Sequence, residues 1–144
     1  MLPCAALEAQ SNPILGTFRL NVAKSKYDPG PPPKSETRTY ERYTADGIKA
    51  TFERVDAFGK QIKITYSALF DGKDYPLMGS PRSDTIALKR LDQHTIEATQ
   101  KKDGKPVLTT KTVLSADGRT RTVTWASANA TGPQINNVEV FERQ

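Results

Sequence analysis

The sequence predicts an all-β fold, an antiparallel up-and-down barrel of about eight to ten strands. Three observations predict it. Apolar and polar residues alternate with period two through most of the chain after Ser35, the mark of strands with one buried face. Asp-Gly and other glycine turns recur every 10 to 15 residues, and connections that short join antiparallel neighbours. An open sheet of this size leaves two unpaired edges, which closure removes. A β-sandwich is the competing architecture. It needs long connections between sheets, and the sequence has one, residues 22–35.

Each element follows from its residues. Residues 15–21 alternate and read as a first strand. Between Pro29 and Pro33 lie four prolines and one glycine. Proline lacks the amide donor and fixes φ, so no helix or central strand passes through them. An extended polyproline segment crossing one end of the domain is expected. Strands follow at residues 36–43 and 48–55, with Ile48, Ala50 and Phe52 on one face. Ile62, Ile64, Tyr66, Ala68 and Phe70 alternate with Lys63, Thr65 and Ser67 in the clearest strand of the chain. A short Pro-interrupted strand is expected at 73–78, then strands at 84–90, 94–100, 106–114, 119–127 and 135–142, with a loop at 129–134.

The chain has 144 residues, enough to bury a core without disulfide or metal staples. Cys4 is the sole cysteine, so no intramolecular disulfide forms. No apolar run reaches the roughly 20 residues of a membrane-spanning helix. Residues 1–11 are apolar and rich in small side chains and read as a disordered leader or signal-peptide remnant, with the barrel domain at 12–144. That leader points to a periplasmic or secreted protein. The formal charge is +5. The basic residues are interleaved with acidic ones along strands (Lys49, Glu53, Lys63, Lys89, Glu97), which describes a solvated face rather than a polyanion site. Nucleic acid is not an expected partner, since no stacking motif accompanies the tyrosines and Trp125.

Several segments carry a resemblance. Gly16-Thr-Phe-Arg-Leu20 is similar to the Gly-x-Trp first strand of the lipocalin and fatty-acid-binding-protein superfamily, and Asn136-Asn-Val-Glu-Val-Phe-Glu-Arg-Gln144 to its closing strand. Three further segments resemble small exported bacterial lipocalin-like proteins of unassigned function: Ala23-Lys-Ser-Lys-Tyr27 with the prolines after it, Asp71-Gly-Lys-Asp-Tyr-Pro76, and Asp84-Thr-Ile-Ala-Leu-Lys-Arg90. The resemblance implies a lipocalin-like barrel that holds a small hydrophobic or amphipathic molecule. Phe18 stands where the superfamily has Trp. Where the fatty-acid-binding proteins place an Arg and a Tyr that grip a carboxylate, this chain has Glu139 and Phe141. A Glu there repels a fatty-acid anion, so the usual mode of fatty-acid binding is not expected.

The aromatic residues are the leading candidates for a ligand site: Phe52, Tyr66, Phe70 and Trp125 on apolar strand faces, with Tyr40, Arg90 and Phe141 beside them. Plain core packing is the competing role for all of them. Either Glu139 faces the interior, where it needs a partner such as Arg121 or Arg90, or Val138 and Val140 do; period-two alternation allows one arrangement only. The resemblance favours Glu139 inward. A barrel enzyme, a hydrolase, isomerase or cyclase, is the alternative function, with Glu139 as base, Tyr66 as donor and Arg121 as anion stabiliser. A third possibility is a barrel filled by its own side chains, dimerising through Val138 and Val140. With His94 the sole histidine, no metal site is expected. No cofactor motif is present, and a monomer or homodimer is expected. Asp71 is expected to cap its own turn.

Overall fold

Ten antiparallel strands close into one ring in the computed structural model, which describes residues 12–128 and 134–144. The expected leader, and most of the expected loop at 129–134, lie outside the described residues. The strands are β1 (Gly16–Leu20), β2 (Ser35–Tyr43), β3 (Gly47–Val55), β4 (Gln61–Leu69), β5 (Tyr75–Met78), β6 (Thr85–Asp92), β7 (Thr95–Lys102), β8 (Lys105–Leu114), β9 (Thr120–Ser127) and β10 (Val138–Arg143). Each pairs with its sequence neighbours, and β1 pairs with β10 to close the barrel. This is the up-and-down topology expected from the short turns. The register follows the alternation: across β3 and β4, Ala50 faces Tyr66 and Phe52 faces Ile64, all buried.

The barrel has two unlike ends. The far end carries the hairpin turns after β2, β4, β6 and β8, together with residues 12–15. It is plugged. Ile14 is fully buried, and Arg143 donates to the carbonyls of Pro13, Leu15 and Gly118 at 2.7–2.8 Å. Arg121, deep inside, donates from Nη2 to the Ile14 carbonyl at 2.5 Å. Just above the plug, rings from β1 to β4 form an edge-to-face file: Phe18 to Tyr40 at 6.3 Å, Tyr40 to Phe52 at 5.8 Å, and Phe52 to Tyr66 at 5.9 Å. Such contacts contribute roughly 0.5–1.5 kcal/mol each beyond area burial.

The other end, the mouth, carries the proline segment and the turns after β3, β5, β7 and β9. The segment between β1 and β2 acts as a strap. It opens with a 3-10 turn at Val22–Lys24. The peptide bonds before Pro29 and Pro31 are cis. β1 is too short to cover the upper half of β10, and the strap substitutes for it. Lys26 exchanges two backbone hydrogen bonds with Val138 at 2.8 Å, and Asn21 donates to the Val140 carbonyl at 2.8 Å. The Ser25 hydroxyl accepts from the Val140 amide at 2.9 Å. Hence the edge that would expose Val138 and Val140 is sealed within the chain itself.

The thinnest part of the wall is β5. Two residue pairs join it to β4 and two join it to β6, and Pro76 offers no donor. At Gly79 (φ +84°) the chain passes so close to β4 that a Cβ would lie 2.0 Å from the Lys63 carbonyl oxygen.

Candidate functional site

The interior carries more charge than the single inward Glu139 and its partner that the sequence led us to expect. Four charged side chains are buried in it: Glu36, Arg38, Arg121 and Glu139. The cause is strand alternation. Tyr40 faces inward from β2, so residues two and four positions before it, Arg38 and Glu36, must face inward too. On β10 the same rule places Phe141 and Glu139 inside and leaves Val138 and Val140 half-buried. On β9 it aligns Arg121, Val123 and Trp125.

These charges form a chain of ion pairs below the mouth. Glu36 accepts from Arg38 Nε and from Arg54 Nε, each at 2.5 Å. Arg38 Nη2 reaches Glu139 Oε1 at 3.3 Å, and the Tyr27 hydroxyl donates to Glu139 Oε2 at 2.7 Å. The Arg38 guanidinium also lies between two rings, 4.0 Å from the Phe52 centroid and 4.5 Å from that of Phe141. Burial opposes ionisation of Glu36, but the Arg38 and Arg54 guanidiniums outweigh it and hold this carboxyl below the usual carboxylate range. Burial pushes Glu139 above that range, and the Glu36 charge adds to it, against the pull of Arg38 and Tyr27. The inward Glu139 therefore finds its partners in Arg38 and Tyr27, not in Arg121 or Arg90 as expected.

Above the ion pairs the mouth opens into a cavity of about 250 Å³. One wall is the strap, from Tyr27 through Pro29, Pro31 and Pro33; the others carry Arg54, Arg82, Trp125, Ile135 and Glu139. Both guanidiniums approach the Trp125 ring, Arg54 at 5.8 Å and Arg82 at 5.5 Å. Arg82 forms no ion pair among the described residues. Partial burial and the positive charge of Arg54 both push its pKa down. Arg38, Phe52, Gln100 and Trp125 line both a second small cavity, which also meets Arg54 and Arg82, and an inner chamber of about 40 Å³, lined as well by Tyr40, Tyr66, Thr112, Arg121 and apolar side chains. The chamber has room for a few waters or one small ion.

The candidates from the sequence divide among these places. Trp125 lines the mouth cavity and the chamber, and Phe52 lines the chamber. Tyr40, Tyr66 and Arg121 line the chamber, while Phe141 packs beneath Arg38. Tyr66 and Arg121 meet at the chamber, but Glu139 does not join them: it lines the mouth cavity, and both its oxygens are already engaged. Phe70 and Arg90 pair with each other, 5.9 Å apart, at the far end, outside every cavity at the mouth. His94 stands at a turn, and the described residues hold no cluster of three or more potential metal ligands. Asp71 caps its own turn, accepting from the Lys73 amide at 3.0 Å.

Glu36, Arg38, Arg54, Arg82 and Tyr27 are residues that the sequence reasoning missed. For Glu36 and Arg38 the signal was present, since naming Tyr40 as inward already fixed their side of the sheet. Arg82 lies on a loop and Tyr27 on the strap, where no periodicity applies. No model of a known protein family matches the chain, and no curated protein matches it significantly.

Proposed function

We propose that the protein binds a small amphipathic anion at the barrel mouth, its apolar body against Trp125, Ile135 and the proline strap and its acidic end toward Arg54 and Arg82. The observation that carries this reading is the pair of guanidiniums on the Trp125 ring, one of them without a carboxylate partner, facing a cavity whose lining mixes Trp125, Ile135 and the strap prolines with Asp56, Asn137 and Glu139. Pockets of this kind take their affinity from apolar contact and their orientation from a few convergent polar groups. The size, about 250 Å³, suits a ligand smaller than a long-chain fatty acid. Glu139 at the floor repels an acid that enters head first, so the acidic end stays at the rim. The enzymatic alternative has less behind it, because its proposed base is occupied by Arg38 and Tyr27.

Anilinonaphthalene sulfonate, an aromatic anion that brightens in apolar surroundings, tests the reading. We expect saturable binding to the folded protein with quenching of Trp125, the sole tryptophan, and displacement by short amphipathic carboxylates. Arg82→Ala should weaken binding by about tenfold or more, the scale of a lost hydrogen bond to a charged group. Binding that is absent, or that is equally strong in Arg82→Ala and Trp125→Leu, overturns the proposal.

A further inference from the structure

Arg121 poses a problem that the mouth site does not solve. It is 1% exposed, among the largest fully buried side chains of the protein. Both buried carboxylates are committed elsewhere, Glu36 to Arg38 and Arg54, Glu139 to Arg38. Arg121 forms no ion pair among the described residues; its Nη2 reaches a neutral carbonyl, that of Ile14, and its Nε has no partner. Rings of Tyr40 at 3.6 Å and Phe18 at 4.6 Å flank the guanidinium. Burial lowers its pKa against the opposing pull of the Tyr40 and Tyr66 hydroxyls, and the positive charge of Arg38 lowers it a little further. A guanidinium stays protonated even so, and a buried charge without a counter-ion is among the costlier arrangements a core can hold.

The chamber beside it has the complementary character. Arg121, Arg38, Tyr40, Tyr66 and Thr112 bring cationic and hydroxyl donors to a space of about 40 Å³, and no carboxylate lines it. Burial pushes the Tyr66 phenol pKa up, so it remains a donor.

We infer that the inner chamber is a binding site for one small monovalent inorganic anion of the halide class, held by Arg121 with the Tyr66 hydroxyl as a second donor. The space admits an ion of that size. The anion neutralises the buried guanidinium and so belongs to the folded state, as a structural ligand separate from the occupant of the mouth.

Thermal unfolding in sodium chloride, compared with sodium gluconate at equal ionic strength, tests this. Gluconate is too large for the chamber. Saturating chloride, about a hundredfold above half-saturation, should raise the unfolding midpoint of the native protein by roughly 5–10 °C over gluconate. Arg121→Met removes the charge while keeping the bulk; it should lose the chloride-specific rise and be no less stable than the native chain in gluconate. Arg82→Ala, at the mouth, should keep the rise. If Arg121→Met fails to fold, Tyr66→Phe should need several-fold more chloride for the same rise. Crystals grown in bromide should show anomalous density beside Arg121. A chloride response equal in native protein and Arg121→Met, or water alone in the chamber of bromide crystals, overturns the inference. Loss of dye binding at the mouth would leave these readouts unchanged, so the two proposals fail separately.

Discussion

Tyr27 and Glu139 fasten the strap to the barrel. The phenol hydroxyl donates to the carboxylate at 2.7 Å, linking a residue of the β1–β2 connection to one on the last strand, 112 positions later. The link sets the height of the proline wall above the ion pairs. It also uses the Glu139 oxygen that Arg38 does not reach. Tyr27→Phe keeps the ring and deletes the donor. We expect a loss of about 1.5–3 kcal/mol in urea denaturation, the range for hydrogen bonds to charged groups. Faster amide exchange confined to residues 22–34 would locate the effect in the strap.

Glu36 joins two cations, and its removal strands both. Glu36→Gln should cost about 3–5 kcal/mol, because Arg38 loses its shorter ion pair while fully buried and Arg54 loses its own. Denaturant midpoints measure this. A cost under about 1 kcal/mol would mean that the pairs are as weak as surface pairs.

The two buried carboxyls respond to pH with opposite sign. Glu139 lies above the usual carboxylate value through burial, so the folded chain holds this proton more tightly than the unfolded chain. Its contribution is complete below the unfolded value and is lost as pH rises through the folded one. Glu36 lies below the usual value, with the guanidiniums outweighing burial. Its contribution is present above the unfolded value and is lost as pH falls through the folded one. Stability should therefore climb as pH drops from neutrality toward the ordinary carboxylate range, then collapse below it. In Glu139→Gln the climb should vanish and the collapse remain. Unfolding free energies between about pH 3 and pH 8 check this.

Gly79 and Gly104 both have positive φ, and they differ in what surrounds them. A Cβ on Gly79 meets the Lys63 backbone, whereas one on Gly104 meets nothing within 4 Å. Gly104→Ala should cost about 1–2 kcal/mol, the conformational term alone. Gly79→Ala should cost more and loosen the β4–β5 seam, seen as faster exchange of the Tyr66 and Leu77 amides.

Phe70 and Arg90 were reasonable candidates from their strands, yet they lie at the far end. Arg90→Ala should leave the affinity for anilinonaphthalene sulfonate within about twofold of the native value. A larger change would argue for a second site at that end.

The fold was legible because alternation and turn chemistry are local. All ten strands fall within a few residues of where the pattern put them, and the inward sides of β3, β4 and β9 follow from Phe52, Tyr66 and Trp125. The mouth was not legible. Arg54 shares the inward side of β3 with Phe52, but Arg82 is on a loop and Tyr27 on the strap, and their approach to Trp125 and Glu139 depends on how the barrel closes.

By itself, the sequence determined that this chain forms antiparallel strands, and that Glu139 shares a side with Phe141 and Arg38 with Tyr40, because side-chain direction in a strand is set by position alone. Which charge meets which was decided only by the tertiary structure. Ion pairing depends on strand register and on the distance across the barrel, and those bring Arg38 and Tyr27 to Glu139 while leaving Arg121 with a carbonyl and two rings.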